Sequence, residues 1–80
     1  MQFVLTVNSY QAPKRVVVNK HFATLEDARK EMLVEIINTI TSYGDDVRNH
    51  SDALKKATTI EVGHTIKCLY WLFTITVEDF

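Results

Sequence analysis

Residues that could carry out chemistry are few in this sequence and lie far apart. The candidate nucleophile is Cys68, and the candidate bases are three histidines, His21, His50 and His64. Thiol catalysis requires a thiolate close to a base, whereas Cys68 begins the apolar run "CLYWLF", where a buried and inert thiol is the usual finding. We therefore predict that the protein is not an enzyme.

Acidic residues near one histidine are the candidate metal ligands. Asp45, Asp46 and Asp52 surround His50 in the sequence, but adjacent acids directly after Gly44 are ordinary turn residues. The alternating oxygen ligands of a calcium loop are absent, and the histidines lack the spacing of zinc ligands. No glycine-rich phosphate loop is present either. We expect neither a metal nor another cofactor.

The length and the cysteine count indicate that a partner stabilises the protein. The chain of 80 residues predicts one domain, 1–80, of a size at which a core supplies only about 3–5 kcal/mol. A single cysteine cannot form an intrachain disulfide, so another protein chain is the remaining source of stability. The first residues lack signal-peptide features, and the apolar runs are shorter than the ~20 residues that span a bilayer. We expect a cytoplasmic protein without membrane contact.

The first half of the chain predicts a β-hairpin followed by a long helix. Alternation over residues 2–8 and a β-branched run over residues 15–22 flank a short connection that contains the only proline. Thr24 is the expected N-cap of a helix from Leu25 to Tyr43, and Gly44 is the expected C-cap. The buried stripe of this helix is predicted to contain Leu25, Ala28, Met32, Ile36, Ile40 and Tyr43.

The second half predicts a short helix and a second hairpin. Residues 46–57 keep helical spacing, with a loop and one turn from Asp52 as the alternative, and Leu54 is expected to pack on the long helix. Gly63 in "VGHT" predicts a hairpin turn between a strand at 58–62 and a strand at 65–77, which is either unbroken or interrupted by a bulge. In the unbroken register, one face carries the core residues Leu69, Trp71, Phe73, Ile75 and Val77, and the other carries Cys68, Tyr70, Leu72, Thr74 and Thr76.

These elements predict an α+β fold with a small single-layer antiparallel sheet, β-β-α-(short α)-β-β, and one long helix packed on one face. The last strand is expected to lie centrally beside the first, with the order 2-1-4-3 as one possibility. No element remains to cover the second face of the sheet. We therefore expect Cys68, Tyr70 and Leu72 to be exposed there as an interface.

The leading functional prediction is a non-enzymatic protein-interaction module. It would be a small homodimer or a subunit that docks on a larger protein, and the acidic helix row Asp27, Glu31 and Glu35 would steer association. Short compact chains of this organisation resemble, at the level of class, the accessory proteins of phages and mobile elements. That resemblance implies an inhibitor that binds host machinery, and it identifies no family.

Two alternatives belong to other functional classes. The first is a nucleic-acid-binding module that uses the basic hairpin, with the candidate residues Tyr10, Lys14, Arg15 and Lys20. A sequence pI near 6.3 makes this alternative the weaker one, because backbone neutralisation needs a stronger basic patch. The second is a protein that binds or sequesters a small ligand at a dimer seam.

Overall fold

The computed structural model describes residues 1–9 and 16–79, and they form an antiparallel sheet with helices on one face. The elements are β1 (Gln2–Ser9), β2 (Val16–Phe22), α1 (Leu25–Ser42), a 3-10 turn (Val47–His50), α2 (Ser51–Thr59), β3 (Thr65–Cys68) and β4 (Trp71–Glu78). The strand order is β2-β1-β4-β3. The predicted α+β class is confirmed, as is the central position of the last strand beside the first.

Helix α1 begins and ends where the sequence predicts. The Thr24 hydroxyl oxygen accepts a hydrogen bond from the Asp27 amide at 3.1 Å, which satisfies a donor of the first turn. At the other end Gly44 has a φ of +73°. The amides of Gly44 and Asp45 donate to the carbonyls of Thr41 and Ile40 at 3.0 and 3.1 Å. This pair of bonds is a Schellman motif, which ends the helix at a fixed place.

Helix α2 packs beside α1 and completes the core on the same face of the sheet. Ala57 is fully buried, and Ala53 and Leu54 are half-buried against the core. The Arg29 Nε atom of α1 donates to the Ile60 carbonyl at 2.8 Å, which ties the end of α2 to α1. The predicted short helix is therefore present. It continues to Thr59, however, and the predicted strand over residues 58–62 is wrong.

The second hairpin turn lies at Leu69 and Tyr70 and not at Gly63. The last pair of the β3–β4 ladder is Cys68 with Trp71, so these two residues form a two-residue turn. Leu69 has a φ of +57°, the sign that a type II′ turn requires at its first central position. Gly63, with a φ of +89°, forms a different turn that leads from α2 into β3. The prediction of one strand over residues 65–77 is wrong.

The position of this turn decides which side chains face the helices. Cys68 and Trp71 pair across the hairpin and therefore lie on the same face, whereas in an unbroken strand they would lie on opposite faces. Cys68 lies in the core and is 3% exposed, so the prediction that it is exposed on the second face is wrong. Phe73 and Ile75 are buried as predicted, while Val77 is 38% exposed at the end of β4.

The second face of the sheet is mostly polar, and we call it the polar face. Its central row pairs Thr6 of β1 with Thr74 of β4, and Thr74 with Thr65 of β3. The hydroxyl oxygens of Thr65 and Thr74 are 3.0 Å apart and share a hydrogen bond. A face built from such side chains is stable in water without cover.

Candidate functional site

The three predicted sheet-face interface residues do not share a surface. Cys68 is in the core, and Tyr70 is in the hairpin turn with 44% of its surface exposed. Leu72 is half-buried on the polar face, where it pairs with Asn8 and Lys67. The apolar patch expected from an unbroken strand is therefore not assembled.

Two of the three acids in the helix row share one ion-pair partner within the chain. The Lys20 Nζ atom lies 2.5 Å from a Glu31 carboxylate oxygen and 3.2 Å from one of Glu35. These hydrogen bonds raise the pKa of Lys20. Lys20 reaches the acids because it pairs with Leu5 in the sheet, which places it on the helix-facing side of the edge strand β2. The third acid, Asp27, lies in the first turn of α1, where the helix dipole favours a negative charge.

The same contact affects the nucleic-acid alternative. Lys20, one of its candidate residues, forms ion pairs with two carboxylates of α1. Tyr10, Lys14 and Arg15 lie outside the described residues. The basic-hairpin hypothesis therefore stays a prediction that depends on those three residues.

Exposed aromatic side chains meet where α1 ends beside the β3–β4 turn. The rings of Tyr43 and Tyr70 have centroids 5.8 Å apart and an interplanar angle of 56°. The Trp71 indole N–H donates to the Tyr43 hydroxyl at 3.1 Å, and Tyr43 remains 48% exposed. We call these three residues the aromatic edge. Because sequence reasoning assigned Tyr43 to the buried stripe of the helix and Trp71 to the core, it missed this group.

Two backbone features hold the aromatic edge together. The Schellman motif ends α1 and leaves Tyr43 as its C-cap residue, where the side chain stays 48% exposed beside Trp71. The two-residue turn places Tyr70 between β3 and β4, next to Trp71. The backbone at each aromatic residue is thus held by the hydrogen bonds of a helix cap, a tight turn or a strand, which limits the rearrangement needed for contact.

A cleft opens beside the aromatic edge. It has a volume of about 360 Å³ and is lined by Val7, Val18, Glu35, Thr39, Ser42, Tyr43 and Trp71. Valine side chains line one part of it, and the polar side chains all come from α1. The size lies within the range of roughly 300–1,000 Å³ that small-molecule sites occupy.

Asp45, His50 and Cys68 form a hydrogen-bonded chain next to the aromatic edge. The His50 Nε2 atom is 2.8 Å from an Asp45 carboxylate oxygen, and the Nδ1 atom is 3.8 Å from the Cys68 sulfur. The hydrogen bond from His50, with further ones from Asp46 and Asn49, lowers the pKa of Asp45 to about 2. Since the ionised Asp45 only accepts, His50 Nε2 carries a proton.

The protonation state of the Cys68 thiol decides which chemistry the hydrogen-bonded group Asp45, His50 and Cys68 can support. Burial raises the pKa of Cys68, and the negative charge of Asp45 adds to the effect. A neutral thiol is a poor nucleophile, so Cys68 is a structural hydrogen-bond partner of His50. These hydrogen bonds link the segment after Tyr43 to the strand before Tyr70, and they therefore support both halves of the aromatic edge.

The described part of the chain offers neither a metal-binding cluster nor a membrane-crossing helix. Residues 1–9 and 16–79 contain no group of three or more His, Cys, Asp or Glu side chains that could hold a metal ion. Neither α1 nor α2 combines the length and the apolar character of a membrane-crossing helix. Comparison of the sequence and the structure with protein-family models, curated proteins and solved structures finds no match.

Proposed function

We propose that this protein is a non-enzymatic interaction module that docks on a partner protein through the aromatic edge. The observation that carries the proposal is the contact between the exposed rings of Tyr43 and Tyr70, held at 5.8 Å beside Trp71. Tyrosine and tryptophan are enriched at protein interfaces and dominate their binding energy, because they combine a large apolar area with a polar group.

The surface of the module favours a different protein over a second copy as the partner. Permanent homodimers bury roughly 2,000 Å² or more through an apolar interface. The polar face carries threonine hydroxyls at its centre. Of the exposed aliphatic residues, Val34 and Ile37 lie on α1, Val62 lies in the turn before β3, and Val77 lies at the end of β4. A compact aromatic contact suits a smaller and reversible interface.

The cysteine chemistry fits the expected cytoplasmic location. Cys68 is a free thiol within the core, and its contact with His50 belongs to the reduced form. A reducing compartment such as the cytoplasm preserves that form.

Site-specific crosslinking tests the proposal. A photoreactive benzoylphenylalanine at Tyr70 is compared with the same group at Val77, which is similarly exposed but lies at the far end of β4. We expect a discrete crosslinked partner from Tyr70 and none from Val77. With that partner purified, Tyr70→Ala should weaken binding by about 30-fold, the loss of roughly 2 kcal/mol typical of a hot spot.

Three results would contradict this function. Equal crosslinking from Tyr70 and Val77 would remove the aromatic edge as the contact surface. A crosslink to a second copy of the chain would show that the aromatic edge forms a homodimer and does not dock on a different protein. Unchanged affinity of the Tyr70→Ala variant for the purified partner would show that the ring contributes no binding energy.

A further inference from the structure

We infer that the cleft beside the aromatic edge receives an arginine side chain of the partner protein. The inference rests on the proposed function and specifies the chemistry that the partner must present. It follows from the hydrogen-bonding state of the lining groups, from the electrostatics of the end of α1, and from the shape of the cleft.

The polar groups that line the cleft have acceptor positions but few free protons. The Thr39 hydroxyl donates to the Glu35 carbonyl at 2.8 Å, and the Ser42 hydroxyl donates to the Thr39 carbonyl at 2.9 Å. Both hydroxyls have therefore used their single proton and retain lone pairs. The Glu35 carboxylate also accepts only, and its contact with Lys20 at 3.2 Å occupies one of its two oxygens. The Tyr43 hydroxyl accepts from Trp71 and keeps its own proton, so the requirement for a donor comes from the three α1 side chains.

The electrostatics of the helix end favour a cation. The last turn of α1 contains no basic residue, so its C-terminal partial charge of about −0.5 is not offset within that turn. A positive group beside Ser42 and Tyr43 would interact with this charge. Lysine and arginine both satisfy this requirement.

The walls of the cleft distinguish arginine from lysine. Tyr43 and Trp71 contribute aromatic rings, on which a planar guanidinium can stack. Val7 and Val18 contribute an apolar surface for the methylene stem. A guanidinium also presents its N–H donors in a planar fork that suits a carboxylate such as Glu35, whereas an ammonium is a compact point charge.

The inference can be tested without knowing the partner. Trp71 is the only tryptophan of the chain, so its fluorescence reports on the cleft. The full chain is titrated with N-acetyl-arginine methylamide and with the citrulline analogue, which has nearly the same shape but no charge. We expect a saturable change with arginine and binding at least about tenfold weaker with citrulline, because charged hydrogen bonds are the stronger ones.

Two variants assign the effect to the cleft. Glu35→Gln and Thr39→Val should each weaken arginine binding, by about tenfold for the charged contact. Glu26→Gln is the matched control, because Glu26 is an acid in the first turn of the same helix, far from the cleft. Thermal melts verify that each variant is folded.

The outcomes separate this inference from the proposed function. Equal binding of arginine and citrulline, no response at roughly tens of millimolar, or unchanged affinity of the Glu35→Gln variant would overturn the arginine site. None of these results affects the crosslinking experiment at Tyr70, which tests docking alone. Arginine binding that Glu35→Gln weakens and Glu26→Gln preserves supports the site.

Discussion

The turn at Leu69 and Tyr70 can be tested by comparing glycine with alanine at position 69. Leu69 has a φ of +57°, and a residue with a Cβ atom loses about 1–2 kcal/mol in this left-handed region. Glycine has no Cβ atom and adopts the conformation freely. Leu69→Gly therefore relieves the strain, whereas Leu69→Ala retains it.

The expected difference in the free energy of unfolding comes from backbone strain and backbone entropy, because the two variants lose the same side-chain packing. Both lose the packing of a half-buried leucine, which is about 1 kcal/mol if full burial contributes ~1.5–3 kcal/mol. The strain favours glycine by about 1–2 kcal/mol, and the larger backbone entropy of unfolded glycine opposes this by about 0.5–1 kcal/mol. We expect Leu69→Gly to be more stable than Leu69→Ala by about 1 kcal/mol.

Urea unfolding of the two variants measures this difference. In a domain of this size 1 kcal/mol corresponds to about 4–8 °C in melting temperature, so thermal melts provide a second measurement. Thr76 of β4 supplies the control pair because it is exposed and extended, and there alanine should be more stable than glycine by about 0.5–1 kcal/mol. If alanine is also the more stable residue at position 69, the chain does not turn there and the unbroken strand is correct.

Three further predictions concern stability and its pH dependence. Among the described residues the buried Asn8 Oδ1 atom has no hydrogen-bond donor, so Asn8→Val should raise the free energy of unfolding by about 1 kcal/mol in urea titrations; a loss of stability would contradict this. The lowered pKa of Asp45, about 2, stabilises the fold above the unfolded value of ~3.9, and this contribution is lost as the pH falls through 2. Asp45→Asn should therefore reduce the fall in the free energy of unfolding at acid pH, and an unchanged fall would refute the role of Asp45. The raised pKa of Cys68 gives the opposite pH dependence. Its contribution to the free energy of unfolding is complete below the unfolded pKa of ~8.5 and is lost at higher pH, so Cys68→Ala should reduce the loss of stability at alkaline pH.

Local signals in the sequence predicted the first half of the fold well. Thr24 and Gly44 mark the ends of α1 because capping depends on residues next to each other in the chain. The buried stripe of Ala28, Met32, Ile36 and Ile40 follows from helical periodicity alone. Lys20 could not be placed in the same way, because its contact with Glu31 depends on which face of β2 meets the helix.

The second hairpin shows where local signals mislead. Gly63 is the expected residue for a tight turn, and leucine is among the poorer residues for the left-handed conformation that Leu69 adopts. A turn near Gly63 would leave Ile66 and Cys68 in a long strand with apolar residues on both faces. Turning at Leu69 costs backbone strain but brings Ile66 and Cys68 to the helix-facing side, where both are buried.

The same turn accounts for the candidate site. The residues that flank a two-residue hairpin turn pair with each other and lie on the same face of the sheet. Cys68 and Trp71 therefore both face the helices, and Tyr70 lies between them at the tip of the turn. Tyr70 then meets Tyr43, which the Schellman motif leaves at the end of α1. Alternation along a single strand does not reveal this contact, because the contact arises only when core burial outweighs the turn preference of Gly63. The aromatic edge is thus a consequence of how the core is closed.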